Sequence, residues 1–151
     1  MKRIIIFLKY LLVFVLIGLA ILLFYIKTML PSVGEPPELK VSMASENIVR
    51  GQYLANHVTV CIDCHSTRDW SKFAGPPIIG TEGKGGEVFD QSLGFPGKYV
   101  ANNITPYHLK DWTDGEIFRA ITTGVSKDGR ALFPIMPYHN FGLLIKKILN
   151  L

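Results

Sequence analysis

Both cysteines of the chain lie within five residues, Cys61-Ile62-Asp63-Cys64-His65. The Cys-x-x-Cys-His pattern is the attachment signal for c-type haem. Two thiols three positions apart can each form a thioether to one of the porphyrin's two vinyl groups. The adjacent histidine then lies under the iron and offers an imidazole nitrogen. Three other chemistries compete for the same residues. A zinc site needs four ligands, and the spacings of His57, His108 and His139 match no zinc pattern. A thioredoxin-like redox pair needs a βαβ context, which this segment lacks. A disulfide within so short a loop is strained.

An iron held by His65 has a sixth position. Met43, Met136, His57, His108 and His139 carry suitable atoms. Met43 falls in a linker-like stretch, and His57 lies only eight residues before His65. Met136 sits in Phe133-Pro134-Ile135-Met136-Pro137-Tyr138, where two prolines make the chain extended and stiff. Such a segment can hold a thioether sulfur at little loss of entropy. A lone methionine is otherwise core filler. Between prolines and downstream of Cys-x-x-Cys-His, Met136 reads as the distal ligand, with His139 in reserve. His/Met ligation fills both axial positions, favours Fe(II) and raises the potential. It points to an electron carrier rather than an enzyme.

These residues must be held somewhere, and the rest of the chain says where. It has 151 residues, enough for one domain, 48% of them hydrophobic, with a formal charge of +4. That composition excludes a disordered chain. Residues 4–26 are apolar apart from Lys9. As a helix they span about 35 Å, enough to cross a hydrocarbon core of roughly 30 Å. The stretch is longer than the apolar region of a signal peptide and is followed by no small-x-small cleavage site. An uncleaved single-pass anchor over residues 1–27 is expected. Lys2, Arg3 and Lys9 place the N-terminus in the cytoplasm and the remainder on the periplasmic face of the inner membrane. Setting aside Lys2, Arg3, Lys9 and Lys27 leaves 12 basic against 12 acidic residues. The exported part is neutral, so no nucleic-acid partner is expected.

Residues 28–44, with Pro31, Gly34, Pro36 and Pro37, read as a semi-extended linker. Residues 45–151 are then the functional domain. Ser45 can cap a helix over 46–58, with Ile48, Leu54 and Ala55 toward a core. Gly51 within it suggests a close backbone approach. Residues 80–97 hold six glycines without phosphate-loop order and read as a surface loop with room for a hairpin. Thr113-Asp114-Gly115-Glu116 is a capping box before a helix that should stop near Gly124. Lys127-Asp128-Gly129-Arg130 is a turn.

From about Arg50 to Phe141 the chain resembles the class I c-type cytochromes, in particular single-haem, membrane-anchored bacterial forms. It is also similar to haem domains in the cytochrome subunits of membrane-bound alcohol and sugar dehydrogenases. The resemblance rests on the Cys61–His65 motif, Gly75-Pro76, Asn103-Ile104-Thr105-Pro106, Trp112-Thr113-Asp114-Gly115-Glu116 and Asp128-Gly129-Arg130-Ala131-Leu132-Phe133-Pro134-Ile135-Met136-Pro137-Tyr138. It implies an all-α fold: a transmembrane helix, then a small domain with long loops around one covalently bound haem c. It implies that Cys61 and Cys64 hold the haem, with His65 and Met136 as axial ligands. It further implies that the Pro76 carbonyl accepts a hydrogen bond from the other ring nitrogen of His65, which orients the ring. Trp112 and Asn103 either meet the haem propionates or simply pack.

The chain departs from this pattern at its end. Members of the family continue into an acidic amphipathic helix that crosses the helix before the motif. Here Leu143-Leu144-Ile145-Lys146-Lys147-Ile148-Leu149-Asn150-Leu151 has no acidic residue and starts close to Met136. The crossing helix is expected to be missing, through truncation or a shifted reading frame, leaving Gly51 without its partner. The expected function is membrane-tethered transfer of single electrons. Its redox partners would be a dehydrogenase, a quinol-oxidising complex or a terminal oxidase, and it could act as a subunit of an oxidoreductase complex. The alternatives are a five-coordinate haem sensor and a non-functional truncated cytochrome.

Overall fold

A long apolar segment in hydrocarbon must satisfy its backbone internally, and a helix does so. Helix α1 runs unbroken over Lys2–Met29 in the computed structural model, which describes residues 2–149. At ~1.5 Å per residue its 28 residues reach about 42 Å, long and apolar enough to cross a membrane. Its side chains are exposed throughout. The chain divides into two compact units, Met1–Gly34 and Glu35–Leu151.

The regular structure of the second unit is mostly helical, with long irregular segments between the helices. Helix α2 spans Ser45–Tyr53 and continues as a π-helical segment over Leu54–Val58. A single turn, α3, covers Cys61–Cys64. Helix α4 spans Asp114–Thr123 and α5 spans Tyr138–Leu149. Strands β1 (Val88–Phe89) and β2 (Tyr99–Val100) form a short antiparallel hairpin, with Val88 opposite Val100 and Phe89 opposite Tyr99. A 3-10 turn over Gln91–Leu93 lies in its connection, capped by the Asp90 carboxylate accepting from the Ser92 amide.

Three expectations change. Ser45 does not cap α2 but begins it; Ala44 stands at the N-cap, with no side-chain hydrogen bond. Among the described residues nothing covers Ile48, which stays 51% exposed rather than facing a core. Second, the expected linker is partly docked, because the second unit starts at Glu35. The Val41 amide donates to the Asp114 carboxylate at 2.7 Å. Gly115 lies so close to the Pro37 carbonyl that any Cβ there would collide with it. Third, the apolar end of the chain does form a helix. It packs on α4, where a Cβ on Gly142 would come 2.8 Å from the Thr122 carbonyl. Among the described residues nothing crosses α2 at Gly51, whose Cβ position has open space. Asn150 and Leu151 lie outside the described residues.

Helix α4 is built as its sequence dictates. Thr113 Oγ1 accepts from the Glu116 amide, and the Glu116 carboxylate accepts from the Thr113 amide at 2.7 Å. Gly124 ends the helix at φ +70°, a conformation glycine adopts without strain. Val125 beyond it is the fully buried apolar residue among those described. Polar groups around it form a frame. Buried Arg119 donates to the Ser126 carbonyl at 2.8 Å, and the Leu132 amide donates to the Gly124 carbonyl at 2.7 Å. The larger apolar side chains gather around a cavity instead.

Candidate functional site

The approach to Cys61 is irregular. The α2 helix widens to π geometry, and the Leu54 carbonyl accepts from both the amide and the hydroxyl of Thr59 at 2.9 Å. Val60 follows at φ +46°, unusual for a β-branched residue and a source of local strain. This kink starts α3 and turns its thiols inward. Thr59 Oγ1 lies 3.1 Å from Cys61 Sγ. Burial pushes the Cys64 thiol above its ordinary pKa, with nearby Arg68 opposing in part. That keeps Cys64 in its neutral thiol form near pH 7.

His65 is fixed from two sides. Its carbonyl accepts from the Gly85 amide at 2.8 Å, and its Nδ1 donates to the Asn102 carbonyl at 2.7 Å. The hydrogen bond expected at Pro76 is made elsewhere. The Pro76 carbonyl accepts from the Asp69 amide at 2.9 Å, closing a local turn that also pairs Arg68 with Pro77. Neighbouring Gly75 accepts from Arg68 Nε, and the same guanidinium stacks 4.4 Å from the Trp70 ring. The Pro76 carbonyl is thus engaged in short-range pairing, while His65 Nδ1 pairs with Asn102.

The Met136 loop returns from α4. The Val125–Ala131 bridge and the Gly124–Leu132 hydrogen bond reverse the chain. The Tyr138 ring then rests against Gly124, where a Cβ would lie 2.5 Å from it. The Tyr138 amide donates back to the Met136 carbonyl at 2.8 Å.

These segments enclose a cavity of about 600 Å³, within the range of small-molecule and cofactor sites. Cys61, Cys64, His65 and Met136 all line it. Tyr99 and Phe133 stack against each other on its wall, ring centroids 3.8 Å apart. Lys98 and Arg130 bring positive charge to it. Two thiols and an imidazole on one aromatic-walled cavity fit a covalently attached haem, and the Met136 thioether lies on the same lining. The lining does not include Met43, His57, His108 or His139. Met43 is 77% exposed, and His57 packs against Tyr53. Trp112 and Asn103 are also outside the lining; Asn103 Oδ1 accepts from the amide and hydroxyl of Thr105. Among the described residues no three His, Cys, Asp or Glu side chains gather as a metal cluster.

Sequence reasoning missed Thr59, Lys98, Asn102 and the Tyr99–Phe133 stacking, and gave Arg130 no role in the site although it lies in a quoted motif. Their roles arise from contacts between distant segments. A β-branched residue directly before a glycine-free turn gave no cue to the Val60 kink.

No family model matches the chain. Over 103 residues it is 30% identical to the cytochrome c subunit of a quinone-type alcohol dehydrogenase from Gluconacetobacter polyoxogenes, covering 66% of this chain and 19% of that protein. Over 100 residues it is 29% identical to the cytochrome c subunit of gluconate 2-dehydrogenase from Pantoea cypripedii, covering 64% and 20%. The corresponding alcohol dehydrogenase subunit from Gluconobacter oxydans is 31% identical over 100 residues, covering 64% and 18%. The chain is similar to cytochrome c subunits of dehydrogenases over about two thirds of its length. It spans about a fifth of the length of these relatives.

Proposed function

We propose that the protein is a membrane-tethered monohaem c-type cytochrome that carries single electrons and does not itself transform a substrate. The observation that carries this reading is the convergence of Cys61, Cys64, His65 and Met136 on one cavity. The likeness to cytochrome c subunits of dehydrogenases supports it. One covalently bound haem c would supply a one-electron Fe(II)/Fe(III) couple. Cys61 and Cys64 would hold it, and His65 and Met136 would offer the axial nitrogen and sulfur. The stacked Tyr99 and Phe133 would offer such a group an aromatic wall, and Lys98 and Arg130 suit the carboxylates it carries. With His65 and Met136 both holding the iron, oxygen or substrate would find no open position there.

Helix α1 is the anchor in this proposal, with Lys2, Arg3 and Lys9 on the cytoplasmic side and the haem domain on the periplasmic face. The partner most in keeping with the relatives is a dehydrogenase; a quinol-oxidising complex would be an alternative electron donor, and a terminal oxidase would serve as acceptor. The membrane fraction of cells that also express haem-attachment machinery tests the reading. A haem-staining band of about 17 kDa and a sharp low-spin ferrous spectrum unchanged by carbon monoxide are expected. Ready carbon monoxide binding would overturn His/Met ligation in favour of a five-coordinate sensor.

A further inference from the structure

We infer that the backbone carbonyl of Asn102 orients the ring of His65, and that Gly85 is the positioning residue that lets it do so. The inference rests on the haem reading only for its effect on potential, since the contact itself is made by the polypeptide. His65 Nδ1 is 2.7 Å from Asn102 O. Gly85 lies between the two partners and touches both sides. Its amide donates to the His65 carbonyl at 2.8 Å. A Cβ on it would come 2.6 Å from the Asn102 carbonyl carbon and 2.8 Å from the carbonyl oxygen, and would also strike the Ala101 oxygen. At φ +74° the position favours glycine in any case.

Ladder-like hydrogen bonds hold the glycine loop in place. The Gly86 amide donates to the Ala101 carbonyl at 2.9 Å, and the Ile104 amide donates to the Gly83 carbonyl at 2.7 Å. The hydroxyl of Ser66, fully buried next to His65, accepts from the Gly83 amide at 3.3 Å. The glycines at 83, 85 and 86 therefore join the haem motif to residues 101–104, and the joint sets where the Asn102 carbonyl stands. An acceptor on the distal ring nitrogen fixes the tautomer and makes the other nitrogen a stronger donor. Weakening it would stabilise Fe(III) less and raise the potential.

Gly85→Ala and Gly80→Ala in the full-length, detergent-solubilised protein test this. Gly80 has a similar φ of +85° but open space at its Cβ, so it controls for backbone strain. Gly85→Ala is expected to keep covalent haem and shift the midpoint potential upward, while Gly80→Ala matches the parent. Equal potentials in all three proteins would overturn the inference. Should Gly85→Ala fail to fold, the parent chain decides. With ¹⁵N-histidine, a through-hydrogen-bond coupling from His65 Nδ1 is expected with ¹³C-carbonyl asparagine and not with ¹³C-carbonyl proline. Coupling to proline would return the role to Pro76. The coupling can be read with or without haem, so a chain lacking haem would defeat the functional reading while the hydrogen bond was still judged by itself.

Discussion

His65 and Met136 are 71 positions apart, yet both line one cavity, and each makes a separable prediction. Replacing Cys61 and Cys64 by Ala together should abolish haem staining in denaturing gels, since only a covalent link survives denaturation. Met136→Ala should keep the stain but open the sixth position. Ferrous protein would then bind carbon monoxide, and the potential would fall because the thioether no longer favours Fe(II). His139→Ala should change neither property, as His139 is exposed and outside the cavity lining. If His139→Ala were the variant that gained carbon monoxide binding, the ligand assignment would be wrong.

Helix α4 and the turn after it carry the Met136 loop, so defects there should reach the site. Thr113→Ala removes the side-chain half of the capping box and should destabilise the domain by about 1 kcal/mol. A lower denaturation midpoint with an unchanged spectrum would show this. Gly124→Ala should be worse. It forces a residue with a Cβ to φ +70° and drives that Cβ into the Tyr138 ring. The left-handed conformation alone costs roughly 1–2 kcal/mol. Because Tyr138 follows Met136 by two residues, this variant should also weaken the iron–sulfur bond, seen as partial carbon monoxide binding. A Gly124→Ala protein as stable as Thr113→Ala, with an unaltered spectrum, would refute this coupling.

Across the described residues, hydrogen bonds hold five carboxylates below their ordinary pKa, Glu82 among them through its own backbone amide and that of Gly80. Ser71 and Lys72 lower Asp69, Ser92 lowers Asp90, the Thr113 amide lowers Glu116, and Ser126 lowers Asp128. The unfolded chain therefore binds more protons than the folded one in this window. Stability should be full above the ordinary values of 3.8 for Asp and 4.5 for Glu and fall as pH drops below them. Denaturant midpoints measured from pH 7 to pH 3 should decline below about pH 4.5; a flat profile would contradict it. The two-unit division makes another prediction. A specific protease site placed at residues 32–33, between α1 and the unit that starts at Glu35, should release the haem-staining domain into the soluble fraction. Retention on the membrane after complete cleavage would show a second attachment.

The chain's local patterns determined much by themselves. The apolar run set α1, because an unbroken hydrophobic segment satisfies its backbone only as a helix. Thr113, Glu116 and Gly124 set both ends of α4, because caps act within one turn. The Cys61–His65 spacing pointed to the proposed chemistry, since that signal depends on neighbours in sequence. Tertiary structure decided the rest, because those choices are competitions between distant groups. It placed Asn102 rather than Pro76 on His65, since the Pro76 carbonyl was taken by Asp69. It docked residues near Pro37 on α4, which the prolines had suggested would be free, because Gly115 leaves room for that backbone. It laid α5 on α4 while Gly51 stayed open. Periodicity can show that a helix has an apolar face, but not which surface will cover it.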